Sequence, residues 1–433
     1  MIALSIVMMG FSLTILVSAS FAFSASGSLP RVSRFEVQPA SIIVAKTDAS
    51  PTCASTGICP SMLDTAYGFG SLHSSGTTGA GQTVIIDDAC GDPNMASDLA
   101  AFDAHFGLPA AKLTIFYPEG TKGLCIDGSW SLETSLDVEM AHTVAPGAAI
   151  DLLVANTPSA TDVYQNWIYA LSNHLGNQIS DSFAGAGCYS FCNSTIGQGI
   201  GPCTLTNGTE GVNVDKILAE ADTDHVTILG SAGDLAAWGQ GTTSEIPVPA
   251  DCQGVLTVGG TTLKVTSTGQ YIGESAWSCG VLCGTGGGYV TEPKEPSYQV
   301  SAGIDDPFGT LAKPDVAAVA DPNTGVWIYN VNWGGWLVIG GTSVACPIWA
   351  GFMALVNQIR ASNGLQPAGF VNRFLYNTVY GADGTSALYP KDFHDITTGN
   401  NGWPAGVGWD ADTGLGSFIA PALAHTLGTN PNA

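Results

Sequence analysis

The chain has 433 residues, of which 45% are apolar and only 11% are charged, and its 36 Asp and Glu against 12 Lys and Arg give a formal net charge of -24. This balance excludes a nucleic-acid partner, because phosphate binding requires clustered Lys and Arg. At low pH the carboxyls become protonated, and the few Lys and Arg leave little positive charge on the protein. The composition therefore favours a protein that works in an acidic medium outside the cell. The alternative is an ordinary acidic soluble protein.

The N-terminal segment is a targeting signal by composition. Residues 2–23 are almost wholly apolar or small, and Ala22 and Ala25 offer small-residue cleavage positions. We expect residues 1–25 to be a secretory signal peptide. The apolar run is also long enough to span a bilayer uncleaved, so an N-terminal membrane anchor is the alternative. Both interpretations place the rest of the chain outside the cytoplasm.

The remainder divides into a lead-in and one globular region. Residues 26–52 form a low-complexity lead-in that we interpret as a short propeptide, and residues 53–433 show globular patterning without a further linker. Short apolar runs alternate there with segments of helical length. The predicted strands are Thr83–Asp87, Ala149–Val154, Val226–Leu229 and Val255–Val258, and the predicted helices include Met95–Phe106, Ser131–Ala145 and Val212–Ala221. This alternation predicts an α/β fold with a doubly wound, mostly parallel sheet.

Eleven cysteines follow the apolar N-terminal segment. The closely spaced pairs Cys53/Cys59, Cys188/Cys192 and Cys279/Cys283 suit short disulfide loops in an oxidising compartment. Cys346 lies in an apolar helical run, and we expect it to stay a buried thiol. A zinc site is disfavoured, because no paired His or repeated two-residue Cys spacing accompanies the cysteines.

An acidic pair lies on the helix predicted over Ser131–Ala145, which Pro146 ends. Glu133 and Asp137 are four residues apart, so both carboxylates share one face beside an apolar stripe. Such a pair is either a solvated acidic face or two carboxyls that share a proton, which raises one pKa. His142 lies about half a turn round the helix from Glu133, so it is a poor candidate for the base of a serine triad.

Two further motifs carry candidate chemistry. Asp234 closes Gly230-Ser231-Ala232-Gly233-Asp234 directly after a predicted strand, where an acid either makes a turn or, when protonated, donates a hydrogen bond. Ser343, in Gly341-Thr342-Ser343, begins an apolar helix. A serine there either caps the helix or acts as a nucleophile whose developing negative charge is stabilised by the helix N-terminus.

These motifs, taken in order along the chain, resemble the sedolisin family, the serine-carboxyl peptidases with a subtilisin-like fold. The resemblance rests on the Glu-x-x-x-Asp helix, Ser-Ala-Gly-Asp and Gly-Thr-Ser-x-x-x-Pro, and it extends from about Met62 to Phe418. It implies that Ser343 is the nucleophile, Glu133 the general base, Asp137 the partner that shares a proton with Glu133, and Asp234 the donor to the oxyanion. Asp88, at the end of the first strand, extends the acid network or lies in a surface turn.

The resemblance also implies one structural calcium ion near the C-terminus. Two acids separated by Gly-rich backbone supply the oxygen ligands that Ca2+ prefers, although a plain Gly/Asn loop has the same composition. Carried over from the family, Asp395 and Asp410 are the carboxylate ligands. The backbone ligands are the carbonyls of Ile396, Gly406 and Gly408.

We therefore expect a secreted, acid-active peptidase, an endopeptidase or a tripeptidyl-peptidase, that acts on polypeptides as a monomer. Two alternatives stay open. One is a catalytically silent, calcium-stabilised exported binding protein on the same fold, and the other is a subtilisin-type protease active at neutral pH.

Overall fold

The structure is a computed structural model that describes residues 38–39, 42–47, 51–53, 57–120, 128–184, 204–205, 212–237, 249–280, 283–304 and 306–433. The predicted signal segment and the predicted Cys188/Cys192 disulfide lie outside these residues.

A sheet of eight strands, labelled here in chain order, forms the centre of the fold. The strands are β1 (Thr83–Ala89), β2 (Lys112–Phe116), β3 (Ala149–Ala155), β4 (Gln178–Asp181), β5 (Thr227–Ser231), β6 (Leu256–Val265), β7 (Tyr271–Ala276) and β8 (Val316–Val319). Their order is β7-β6-β5-β4-β1-β3-β2, and β8 pairs with β6. All pairs are parallel except β6 with β7. The predicted doubly wound parallel sheet is confirmed.

Six helices of ten or more residues occur in the described part of the chain. They are α1 (Met95–Phe106), α2 (Ser129–Val144), α3 (Ala160–Ser172), α4 (Val214–Thr223), α5 (Thr342–Ser362) and α6 (Ala420–Thr429). Shorter α-helices span Pro60–Tyr67, Phe69–Ser74, Ser297–Ala302, Asn372–Phe374 and Tyr389–Asp392.

The two faces of the sheet are covered by different helices, as the alternation of side chains along a strand requires. Val84 and Ile86 of β1 lie in a large core with residues of α2 and α5. Ile85 lies on the opposite face, in a second core with residues of α3 and α4. The helix α5 is long and apolar enough to cross a membrane, but 89% of its apolar window is buried in the first core.

Close packing of α5 on α2 brings the serine motif to the acidic pair. A Cβ atom added at Gly351 of α5 would lie 2.8 Å from Cβ of Val144 on α2. Only glycine permits this approach without displacing Val144. We therefore regard the glycine as the residue that sets the spacing between these two helices.

Two strands of the lead-in pair with the globular region. The backbone of Gln38–Pro39 is antiparallel to Phe183–Ala184, and that of Ile42–Thr47 is antiparallel to Gly335–Gly340. Gly340 directly precedes the turn that carries Ser343. The described strands of the lead-in therefore pair with two segments that adjoin Ser182 and Ser343 in the sequence.

Two predicted disulfides are confirmed, Cys53–Cys59 and Cys279–Cys283. Cys346 is a buried free thiol, as expected.

Candidate active site

Ser343 is the second residue of α5 and is fully buried. Gly341 precedes the helix with φ +126°, a conformation that disfavours residues with a Cβ atom. The Ser343 hydroxyl donates a hydrogen bond to the carbonyl oxygen of Ser182 at 3.4 Å. The serine thus lies at a helix N-terminus, where backbone N–H groups and the helix dipole favour negative charge.

The acidic pair of α2 is buried rather than solvated. Glu133 and Asp137 have no exposed surface, so the interpretation as a solvated acidic face is wrong. The pKa of Asp137 is raised well above its ordinary value by burial, and further by the negative charges of Asp88 and Glu133. A buried pair of this kind retains a proton between its members, because two adjacent charges in a dry site repel.

Ser182 connects this acidic pair to the serine. Its carbonyl oxygen accepts the hydrogen bond from the Ser343 hydroxyl, and its side chain lies close enough to Asp137 to oppose the rise in the pKa of that carboxyl. Asp88, at the end of β1, is buried, and burial raises its pKa to about 7. Asp88 is therefore part of the buried acidic group and does not lie in a surface turn.

Asp234 lies beside the start of α5. Its Oδ1 accepts hydrogen bonds from the backbone N–H of Thr342 at 2.8 Å and from the Thr342 hydroxyl at 2.9 Å. The side chain is buried, and burial raises its pKa to about 7. Within the described ranges Oδ2 has no hydrogen-bond partner. Below about pH 7 the carboxyl keeps a proton next to the residue that precedes Ser343.

His142 does not belong to this group. Its Nε2 lies 3.2 Å from Oδ1 of Asp103 and 2.9 Å from the carbonyl oxygen of Pro109. The imidazole therefore braces the far side of α2, which agrees with the sequence argument against a histidine triad.

Comparison with known proteins places this arrangement in a family. The model of the subtilase family matches residues 126–409. The chain is 30% identical to sedolisin from Pseudomonas sp. over 89% of its length and 31% identical to kumamolisin from Bacillus sp. over 87%. It also superposes on the structure of Pseudomonas sedolisin, a serine-carboxyl proteinase solved with two molecules of pseudo-iodotyrostatin. The TM-score is 0.72 at 30% identity, covering 87% of this chain and 99% of that one.

The chain belongs to the sedolisin family. It spans 63% of the length of curated sedolisin and 65% of that of kumamolisin. The shared fold is the subtilisin-like one that the resemblance implies, with α2 and α5 on one face of a mostly parallel sheet.

The loop to which the calcium prediction applies is held together by hydrogen bonds between its backbone and its two carboxylates. The backbone N–H of Gly408 donates to both carboxylate oxygens of Asp395 at 3.1 Å, and that of Gly406 donates to Oδ2 of Asp410 at 3.0 Å. Both carboxylates lie close enough to the Tyr380 hydroxyl to raise its pKa by their charge, although burial is the larger cause. The two acids are thus held near one another by their own loop.

The loop contains carboxylate and carbonyl oxygens, which are the ligand types that a hard cation prefers. Among the described residues no backbone N–H donates to the carbonyls of Ile396, Gly406 and Gly408, whereas both oxygens of Asp410 already accept hydrogen bonds from Gly406 and Thr413. No cluster of three or more His, Cys, Asp or Glu side chains occurs among the described residues, but the predicted ligand set contains only two such side chains. The calcium assignment stays a prediction.

Sequence reasoning missed Ser182 and the two acids Asp87 and Asp181. Strand β4 is not an apolar run, because its sequence Gln-Ile-Ser-Asp contains only one apolar residue. The signal that could have identified β4 is that successive side chains of a central strand point to opposite, buried faces of the sheet, so a strand can carry polar residues on both.

Proposed function

We propose that this protein is an exported, acid-active serine-carboxyl peptidase that hydrolyses polypeptides through an acyl-enzyme on Ser343. One observation carries the proposal. The Ser343 hydroxyl bonds to the Ser182 carbonyl at the N-terminus of α5, where the buried Asp234 holds Thr342 and the buried Asp137 lies beside Ser182. The relatives support the same interpretation, since the solved Pseudomonas structure is named a serine-carboxyl proteinase. The test is hydrolysis of an unfolded protein across about pH 2–8 by wild type and Ser343→Ala.

The proposed first step is attack of the Ser343 oxygen on the carbonyl carbon of the scissile peptide bond. Glu133 takes the proton of the hydroxyl as general base, and Asp137 supports it by sharing a proton. The same proton then passes to the leaving amine, which leaves an ester on Ser343. Water attacks that ester and gives a proton to Glu133, which passes it to the Ser343 oxygen as the second product departs with its new carboxyl group.

Asp234 would stabilise the negative charge that develops on the substrate oxygen. Its Oδ1 is occupied by Thr342, so the proton that it keeps below about pH 7 is available on the other oxygen. A donor in a buried site stabilises an oxyanion strongly, because no water competes. Loss of that proton at higher pH removes the donor and adds a repulsive charge, so we expect activity to fall as the pH rises past about 7.

Substitutions of Asp234 should distinguish its role as a hydrogen-bond donor from its character as an ionisable acid. We expect Asp234→Ala to lower kcat about 100- to 1000-fold. Asp234→Asn should lose only about tenfold, since its amide N–H donates at every pH while its oxygen still accepts from Thr342. Steady-state kinetics at each variant's optimum is the measurement. Equal losses in the two variants would contradict the assignment of Asp234 as oxyanion donor.

We also propose that one Ca2+ ion stabilises the C-terminal loop through Asp395, Asp410 and the carbonyls of Ile396, Gly406 and Gly408. The ion would neutralise two carboxylates, one of which, Asp410, has its pKa raised to about 6 by burial. When bound, it supplies charge neutralisation and loop closure, and it takes no part in the proposed chemistry.

Chelation is therefore expected to lower the melting temperature by about 5–10 °C. Differential scanning calorimetry with Ca2+ and with a chelator measures the difference. Asp410→Asn should abolish it, whereas Asp383→Asn, at an exposed acid near the same Tyr380, should preserve it. A Ca2+-dependent shift that survives in Asp410→Asn would refute the proposed ligand set.

The remaining proposals concern the N-terminal part. We propose that residues 1–25 direct export, that residues 26–52 are a short pro-segment, and that residues 53–433 are the catalytic domain, which acts as a monomer. The pairing of Gln38–Pro39 with Phe183–Ala184, directly after Ser182, supports the second of these. A strand in that position competes with an extended substrate for the same backbone groups.

A further inference from the structure

Two carboxyls face each other beneath the candidate active site. Asp87 of β1 and Asp181 of β4 are register partners in neighbouring parallel strands, and neither has exposed surface. Register partners on adjacent strands lie about 5 Å apart and point to the same face. That face is the one covered by α3, because the residues that follow, Asp88 and Ser182, point to the face of α2 and α5.

Helix α3 supplies one neutral donor to each carboxyl. Nδ2 of Asn166 donates to Oδ1 of Asp87 at 2.6 Å, and Nε1 of Trp167 donates to Oδ1 of Asp181 at 2.8 Å. Burial raises the pKa of Asp87, and the charge of Asp181 raises it further, which agrees with the close approach that the strand register gives the two carboxyls. Two buried carboxyls in register cannot both ionise without strong repulsion, so one of them keeps a proton. In the described ranges no Lys, Arg or His forms an ion pair with either acid.

We propose that Asp87 and Asp181 share one proton and act as positioning residues for the active site. This inference rests on the proposed peptidase function. The shared proton ties the ends of β1 and β4 together at the register from which Asp88 and Ser182 project to the other face. Since the Ser182 carbonyl accepts the Ser343 hydroxyl, separation of these strand ends would move the partner of Ser343.

The surroundings of the pair oppose loss of that proton. The groups whose charges act on it are Asp88 on β1, Tyr164 on α3 with Asp251 beside it, Asp137 on α2 and Cys346 on α5. All of these are acids or neutral, and burial adds to their effect. The pKa of Asp181 is raised to about 8 and that of Asp87 lies well above its ordinary value, with burial as the largest cause in both.

The retained proton makes the stability of the folded state depend on pH. The native state keeps a proton that the unfolded chain releases near pH 4, so the stabilisation is complete below about pH 4 and is lost as the pH rises toward about 8. The second ionisation places two charges in register without a counter-ion. We therefore expect the pair to set the upper pH limit of the active fold.

Asp181→Asn tests this, because its amide can donate to Asp87 without a shared proton while its oxygen still accepts from Trp167. We expect kcat at the acid optimum to stay within about threefold of wild type. On an Asp234→Asn background, whose oxyanion donor does not titrate, the alkaline limb of kcat/KM should move up by about one pH unit. Asp87→Asn should produce the same shift. Asp151→Asn, at a partly buried acid on the adjacent β3, is the matched control and should produce none.

A second readout does not depend on activity. The pH midpoint of unfolding, followed by Trp fluorescence on a Ser343→Ala background, should rise by about one unit in both Asn variants. An unshifted midpoint and an unshifted alkaline limb in both would overturn the shared-proton pair. Absence of hydrolysis in every protein, wild type included, would instead refute the peptidase proposal, and the unfolding midpoint would still decide the role of the pair.

Discussion

Ser343→Ala is expected to lower kcat for an unfolded protein substrate by at least about a thousandfold at every pH between about 2 and 8. Removal of the hydroxyl eliminates the atom that forms the acyl-enzyme, and no neighbouring group can replace it. Cys346, one helical turn away, is buried against Ser180, and burial together with nearby carboxylates raises the pKa of its thiol far above the neutral range. A thiolate therefore does not substitute for the serine.

The matched control for this variant lies on the same helix. Ser362 is exposed in the last turn of α5, so Ser362→Ala should retain wild-type kinetics. Turnover that persists in Ser343→Ala would refute the acyl-enzyme on Ser343. An alkaline optimum that vanished in the mutant would favour the neutral subtilisin-type alternative. Inactivity of the wild type at all pH values would favour the silent binding protein.

Ser343→Ala also tests whether the lead-in, residues 26–52, is removed by the protein's own activity. If residues 26–52 are a pro-segment, acid should convert wild type to a shorter chain while Ser343→Ala keeps its full length. Intact-mass spectrometry before and after incubation at acidic pH measures this. Equal lengths in the two proteins would show that the strand pairing of Gln38–Pro39 is a permanent part of the fold.

The second large effect is expected from Glu133→Gln. The amide has the size of the carboxyl but cannot accept the proton of Ser343, so kcat should fall about 100- to 10,000-fold. Glu133 is fully buried, where an ionisable group costs desolvation energy, so its replacement by a neutral amide of the same size should not destabilise the protein. Single-turnover hydrolysis of a chromogenic peptide, with the melting temperature measured in parallel, separates loss of chemistry from loss of fold.

Glu139→Gln is the control for the general base. Glu139 lies on the same helix and is equally buried, and it accepts a hydrogen bond from the backbone N–H of Tyr329, which an amide oxygen also accepts. We expect its kcat to stay within about threefold of wild type. A loss confined to Glu133→Gln supports a carboxylate base, whereas unchanged kcat in that variant would reopen the search for another base.

The local pattern of the chain was sufficient for several of the elements, although not for β4. Met95–Phe106 is a helix with the predicted ends, and the helix that carries Glu133 and Asp137 ends one residue earlier than predicted, before Pro146. Strand ends were less accurate. The strand predicted as Val255–Val258 runs to Val265, because its second half pairs with β7 and its residues alternate rather than form an apolar run.

Sequence by itself determined the fold class, the helical face shared by the two acids and the placement of Ser343 at a helix start, since periods of 3.6 and 2 residues and the chemistry of Gly and Pro are local. Only the tertiary structure decided which groups meet. Ser343 and Ser182 are 161 residues apart along the chain, and whether Glu133 and Asp137 face solvent or a dry core depends on the close approach of α5 at Gly351. The register that pairs Asp87 with Asp181 is set by packing of the whole sheet, so no local pattern predicts it.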